Sequence, residues 1–267
     1  MTEKGIALAL GGGAALGWAH IGVLRILEED GIAVRAIAGT SIGALAALCF
    51  AAGKLDVLEA IARGTTSRRV LSYLDPSFSR GGWLGGRRLA RELEQHFGTL
   101  RLETLPVPIA LVAADLDTAD EVRMTSGPAV SAVQASMALP GLFRAVDRDG
   151  RSLIDGGMVA TLPIGAARAI GEGVPVVAVD LLSDYDGHAR AARRPRSAPN
   201  TLSGAVLMMF ARQTQAAVAN DPPDVLMTLP VGHIATGAFT RADELIAIGR
   251  EAASAALPRI RAVVSAQ

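Results

Sequence analysis

The chain alternates short, unbroken apolar runs with longer segments whose apolar residues recur every three or four positions. Gly5–Leu10 (GIALAL) is such a run and ends in three glycines, as expected of a strand covered on both faces. From about Gly17 to Asp30, Trp18, Ile21, Val23, Leu24 and Leu27 mark a buried face while Arg25, Glu28 and Glu29 stay polar. That spacing predicts a helix, stopped by Gly31. Val34–Ala38, broken only by Arg35, predicts a second strand feeding the turn Gly39–Gly43, after which an apolar helix runs to about Ala52. Strand, helix, strand, turn and helix in this order predict parallel strands joined by helical crossovers.

Further along, Leu55–Gly64 and Arg87–Phe97 predict surface helices. Between them Thr65–Gly86, rich in Ser, Gly, Arg and Pro, reads as a flap over a site. Ile109–Asp115 predicts a buried strand and Glu121–Thr125 a more exposed one. Ala129–Leu139 predicts a short helix stopped by Pro140-Gly141, and Arg151–Ile154 a brief strand delivering Asp155-Gly156-Gly157. A helix (Leu162–Ile170), a buried strand (Val174–Leu181), a helix (Leu202–Ala219), a strand (Val225–Leu229) and a last helix from Arg241 to about Val264 complete the pattern. No repeat and no clean linker interrupts it. We expect one domain over 1–267, with its motifs in about 5–181 and helices and a strand in 182–267.

Composition adjusts this picture. Hydrophobic residues make up 50% of the chain and aromatics only 4%, which suits buried strands under Ala-rich helices. A formal net charge of zero gives nucleic acid nothing to bind. The single cysteine, Cys49, excludes an intrachain disulfide and favours the cytoplasm; within the apolar run Ala44–Ala52 it reads as packing. Lys4 before Gly5–Leu10 imitates a weak signal peptide, but six apolar residues are too few, and no run approaches the roughly 20 of a membrane span. Membrane contact would then be peripheral. Arg190, Arg193, Arg194 and Arg196 lie in Gly187–Asn200, an expected exposed loop whose other reading is a dock for anionic lipid.

Two glycine-rich turns carry the candidate chemistry. Gly39-Thr40-Ser41-Ile42-Gly43 is a G-x-S-x-G sequence between a strand and a helix. In that context a tight reversal projects the serine hydroxyl from the sheet's carboxyl edge as a nucleophile, and Gly39 and Gly43 remove side chains that would clash. The bland reading is a serine that caps the helix. Gly11-Gly12-Gly13-Ala14-Ala15-Leu16-Gly17 follows the first strand and opens the first helix. Its amides suit either an oxyanion hole or a phosphate or nucleotide cradle, although the spacing is one residue off the dinucleotide fingerprint. The second use would make the chain a non-enzymatic binding module.

A serine nucleophile needs a base. Asp155, at a strand end with Gly156 and Gly157 behind it, fits a Ser–Asp dyad. His233, in a loop after a strand, is the histidine placed for a triad. His20 is expected to cap or pack near the first loop, and His96 and His188 to be solvated.

Three ordered segments, LALGGGAALGWAHIGVL (Leu8–Leu24), AGTSIGAL (Ala38–Leu45) and LIDGGMVATLPIGAARAIG (Leu153–Gly171), resemble the patatin-like phospholipase family, particularly its small bacterial members. ASMALPGLFRAV (Ala135–Val146) is also similar to the family's stretch before the aspartate. The resemblance implies a three-layer α/β/α fold with a mainly parallel sheet, and a dyad of Ser41 and Asp155 rather than a triad. It further implies an oxyanion hole from the amides of Gly11–Ala14, hydrolysis of lipid acyl esters, and no metal or organic cofactor. His20 matches a family histidine that is not the base. One departure stands out: Leu16 occupies the position of a usual basic residue.

Overall fold

A computed structural model describes residues 4–68, 70, 87–184 and 198–267. Most of the expected flap (71–86), the arginines of 190–196 and His188 lie outside the described residues. The elements are β1 (Ile6–Leu10), a 3-10 turn (Ala14–Trp18), α1 (Ala19–Glu29), β2 (Val34–Thr40), α2 (Ile42–Ala51), α3 (Leu55–Arg63) and α4 (Arg87–Phe97). They continue with β3 (Ile109–Asp115), β4 (Glu121–Met124), α5 (Ala129–Ser136), β5 (Val146–Arg148), β6 (Arg151–Asp155), α6 (Ile164–Ile170), β7 (Val176–Asp180), α7 (Ala198–Asn220), β8 (Val225–Thr228) and α8 (Ala242–Ser265).

The strands form one sheet in the order β5-β6-β3-β2-β1-β7-β8, with β4 also on β3. Pairs β2–β3, β1–β2, β1–β7 and β7–β8 are parallel; β3–β4, β3–β6 and β5–β6 are antiparallel. The parallel part is the expected one. The antiparallel part lies around β3, and includes β5, a strand the hydrophobic pattern did not mark.

Alternation along the central strands is of size rather than polarity. Ile6, Leu8 and Leu10 of β1, Ile37 of β2, and Leu111 of β3 enter one core. Ala7, Ala9, Ala36, Ala38 and Ala110, from the opposite face, enter a second, thinner core with Ala166 and Ala167 of α6. Small residues on both sides let α6 lie close to the sheet, while the larger side chains interdigitate with α1, α2 and α8, giving an α/β/α sandwich. Helix α2 is buried on all sides, as its uniformly apolar sequence requires. α1 and α8 cross at glycines: a Cβ on Gly22 would stand 2.0 Å from the Ile246 carbonyl oxygen, and one on Gly249 2.0 Å from that of Ala19.

Register around β3 positions the site. Val112 pairs with Thr40 of β2 on one side and Arg123 of β4 on the other. The next residue, Ala113, pairs with Val122 of β4 and Asp155 of β6. Since β4 pairs with Leu111–Ala114 along one edge of β3, β2 and β6 share the other edge and meet end to end. The residue after β2 is Ser41, and the last of β6 is Asp155.

Candidate active site

Ser41 takes φ 55° and ψ −122°, a positive-φ conformation that costs a non-glycine residue about 1–3 kcal/mol. Packing around the turn holds it there. A Cβ on Gly39 would lie 2.3 Å from the Gly43 carbonyl oxygen, and one on Gly43 would lie 2.3 Å from that of Leu10. These two glycines therefore allow strand, turn and helix to touch through backbone alone. The Ser41 amide donates to Ser136 Oγ (2.9 Å), whose hydroxyl donates to the Val112 carbonyl (2.5 Å). Thr40 Oγ1 donates to the Ala160 carbonyl (2.8 Å). The serine makes no side-chain cap for α2, so the capping reading fails. Its hydroxyl points elsewhere.

Ser41 Oγ donates to Asp155 Oδ2 at 2.6 Å across 114 positions of sequence. The other carboxylate oxygen, Oδ1, accepts from the Gly157 amide (2.7 Å), and the Asp155 amide donates to the Ala138 carbonyl (3.0 Å). Gly156 lets β6 end against β3, since a Cβ there would be 2.2 Å from the Val112 carbonyl oxygen. Asp155 is 4% exposed. Burial pushes its carboxyl up to about 6, with the hydrogen bonds from Ser41 and Gly157 opposing the rise. A carboxylate in that range is ionised at neutral pH and basic enough to take a proton.

The first glycine turn is pinned. Gly11 donates to the Val179 carbonyl (3.0 Å) and Gly12 to that of Thr161 (2.9 Å). These two amides are spent, which corrects the expectation that Gly11–Ala14 all contribute to an oxyanion hole. Among the described residues, Gly13 and Ala14 are the members of that run whose amides have no acceptor. Ala14, at φ 50°, lines the same cavity as Ser41 and Asp155. Leu16 is fully buried in the core, where a basic side chain would lose its hydration. Gly17 passes so close to Ile42 that a Cβ would lie 2.3 Å from its side chain.

The histidines separate clearly. His20 is fully buried, and its Nε2 lies 2.8 Å from the Gly11 carbonyl. A carbonyl only accepts, so Nε2 carries the proton and Nδ1, which has no partner, is bare. Burial lowers the ring to about 4, keeping it neutral. His233 is exposed and pairs with Glu244 at 3.2 Å, outside the cavity that Ser41 lines. His96, expected to be solvated, instead lines that cavity.

The cavity encloses about 410 Å³ and is mostly apolar. Ala14, Ser41, Asp155 and Met137 line it, as do Trp18 and Phe239, which form an edge-to-face pair at 6.1 Å. Ile42, Leu45 and Cys49 bring one face of α2 to its wall. Burial pushes the Cys49 thiol up to about 12, so it remains protonated and apolar. Sequence reasoning missed this lining, and missed Ser136; the similarity of Ala135–Val146 to a family stretch was the available signal for the latter. Among the described residues, no group of three or more His, Cys, Asp or Glu side chains is placed to hold a metal. No helix of these residues is long and apolar enough to cross a membrane.

A family model described as patatin-like phospholipase matches residues 8–168. An uncharacterised NTE family protein of Mycobacterium bovis is 38% identical over 187 residues, covering 70% of this chain and 52% of that protein. Neuropathy target esterase of Drosophila melanogaster is 31% identical over 192 residues, 70% of this chain and 13% of the fly protein. Patatin-like phospholipase domain-containing protein 7 of Mus musculus is 35% identical over 189 residues, 68% of this chain and 14% of the mouse protein. The chain thus spans about half the length of the mycobacterial relative and a small part of the animal ones.

Proposed function

The chain belongs to the patatin-like phospholipase family, and from that premise we propose that it hydrolyses acyl esters of lipids through a Ser41–Asp155 dyad. The observation that carries the reading is the 2.6 Å hydrogen bond from Ser41 Oγ to Asp155 Oδ2, both of which line a mostly apolar cavity. The names of the fly and mouse relatives, an esterase and a phospholipase domain-containing protein, support the same reaction class.

In the first step Asp155 takes the hydroxyl proton as Ser41 Oγ bonds to the ester carbonyl carbon. The carbonyl oxygen becomes an oxyanion facing the Gly13 and Ala14 amides, and each well-placed donor of this kind contributes on the order of 100-fold or more in rate. The tetrahedral species collapses, the alcohol leaves with the proton from Asp155, and Ser41 is acylated. In the second step water gives its proton to Asp155 and attacks the acyl carbon; Ser41 leaves and recovers the proton, and the fatty acid departs. A peripheral approach to lipid fits this scheme.

A phosphate or nucleotide cradle finds less support, because the Gly11 and Gly12 amides are already bonded. Two measurements test the proposal: hydrolysis of p-nitrophenyl butyrate, and mass spectrometry of fatty acids released from a mixed lipid extract. Both activities are expected in the wild type and absent in Ser41→Ala and Asp155→Asn. Full activity of either folded variant would remove that residue from the mechanism.

A further inference from the structure

The cavity that Ser41 lines also borders α2 beyond the serine. Ile42, Leu45 and Cys49 all line it, and their spacing of three and then four residues places them on one helix face. Cys49 follows Ser41 by eight residues, so the cavity reaches about 12 Å down the helix at about 1.5 Å per residue. Lining residues toward the C-terminal end of α2 are buried. Cys49 is 1% exposed and Phe97 6%, and Val57 of α3 completes the lining there. Lys54, just beyond α2, holds this wall from behind: its ammonium sits 5.4 Å from the Phe97 ring centroid and donates to the His96 carbonyl. Besides Ser41 and Asp155, the polar residues of the cavity lining are Thr65, Glu92, His96, Ser203 and Thr236, and the rest is mostly apolar.

We propose that this is an acyl channel with a floor at Cys49, Val57 and Phe97, which measures the chain attached to the carbonyl at Ser41. The proposal rests on the esterase reading above and deepens it by naming the substrate class. An extended hydrocarbon advances about 1.3 Å per carbon given C–C bonds near 1.5 Å, so a channel of about 12 Å holds about ten carbons. The preferred substrate is a medium-chain acyl ester, and Cys49 sets the limit. A bulkier side chain at 49 shortens the channel by about three methylenes. Each buried methylene is worth about 4-fold in binding, so the loss compounds to about 60-fold.

Two measurements test this. The first uses the wild type and a fluorophosphonate carrying a ten-carbon chain that ends in a diazirine. Ser41 Oγ bonds to phosphorus, fluoride leaves, and Asp155 takes the proton; irradiation then fixes the chain's end to its neighbours. Peptide mass spectrometry is expected to find the adduct on Ser41 and the photo-crosslink on the segments holding Cys49, Val57 or Phe97. An adduct on Ser41 with crosslinks confined to other segments overturns the channel and leaves the esterase reading standing. No adduct on Ser41 overturns both. The second compares kcat/KM for p-nitrophenyl esters from two to sixteen carbons. The wild-type profile should peak near ten carbons, and Cys49→Phe should lower the decanoate-to-butyrate ratio by about 60-fold. An unchanged ratio would refute the floor; if Cys49→Phe does not fold, the wild-type crosslink decides.

Discussion

Replacing Asp155 by asparagine should stabilise the fold while removing activity, and the effect should depend on pH. The asparagine would keep the shape and the contacts: its carbonyl oxygen can accept from the Gly157 amide and its amide can donate to Ser41 Oγ, the two partners of the native carboxylate. It removes the charge. The native carboxyl rises from its ordinary 3.8 to about 6, with burial as the main cause. Well below pH 3.8 the group is neutral in folded and unfolded chains alike, and its charge costs nothing. Between about pH 4 and 6 the folded chain holds a proton that the unfolded chain has released, so wild-type stability falls as pH rises through this window. Above pH 6 the loss levels off at about 3 kcal/mol. Urea unfolding of wild type and Asp155→Asn should therefore show a stability difference near its baseline at pH 4, growing by about 3 kcal/mol by pH 8, while esterase activity in the variant stays absent. Stability curves that run parallel from pH 4 to pH 8 would refute the buried, destabilising charge and with it the tuned base.

Other variants probe the surroundings. Since Ser41 sits at φ 55°, Ser41→Gly should unfold at higher urea than Ser41→Ala by about 1 kcal/mol, read by equilibrium unfolding; equal midpoints would argue against backbone strain. His20→Leu removes the donor to the Gly11 carbonyl and should lower kcat at least about 10-fold with little change in KM through misplaced loop amides. Partial recovery in His20→Gln, which can still donate, separates positioning from general destabilisation. His233→Ala should change kcat/KM by less than about 2-fold, because the exposed contact it loses, with Glu244, is worth little; a loss of 100-fold would revive the triad. The wild-type kcat/KM should rise with pH through about 6, following Asp155, with no histidine limb above it.

The parts legible in the sequence are those with one dominant local signal. β1, β2, β3 and β7 are short apolar runs between turn residues, and Ser41 and Asp155 each end such a run beside glycines. The helix Ala198–Asn220 starts ahead of the expected Leu202 because Pro199 is tolerated in a first helical turn. What the sequence hid depends on tertiary register. β5 is three residues, Val146–Arg148, too short and polar to form a pattern. That β2 and β6 abut on one edge of β3 follows only from pairings at Val112 and Ala113. The glycine run displayed four amides of equal promise, and hydrogen bonds to Val179 and Thr161 took two of them. α2 is apolar all round, so nothing in its sequence marks which face lines a cavity.

The most direct test is the reaction of Ser41 with a small fluorophosphonate at pH 8, followed by intact-mass and peptide mass spectrometry. We predict one adduct per chain, on Ser41, in the wild type, and none in Ser41→Ala. Asp155→Asn should react at least about 100-fold more slowly, as expected when a positioned general base is lost. Labelling of Asp155→Asn at the wild-type rate, or an adduct on a residue other than Ser41, would contradict the account.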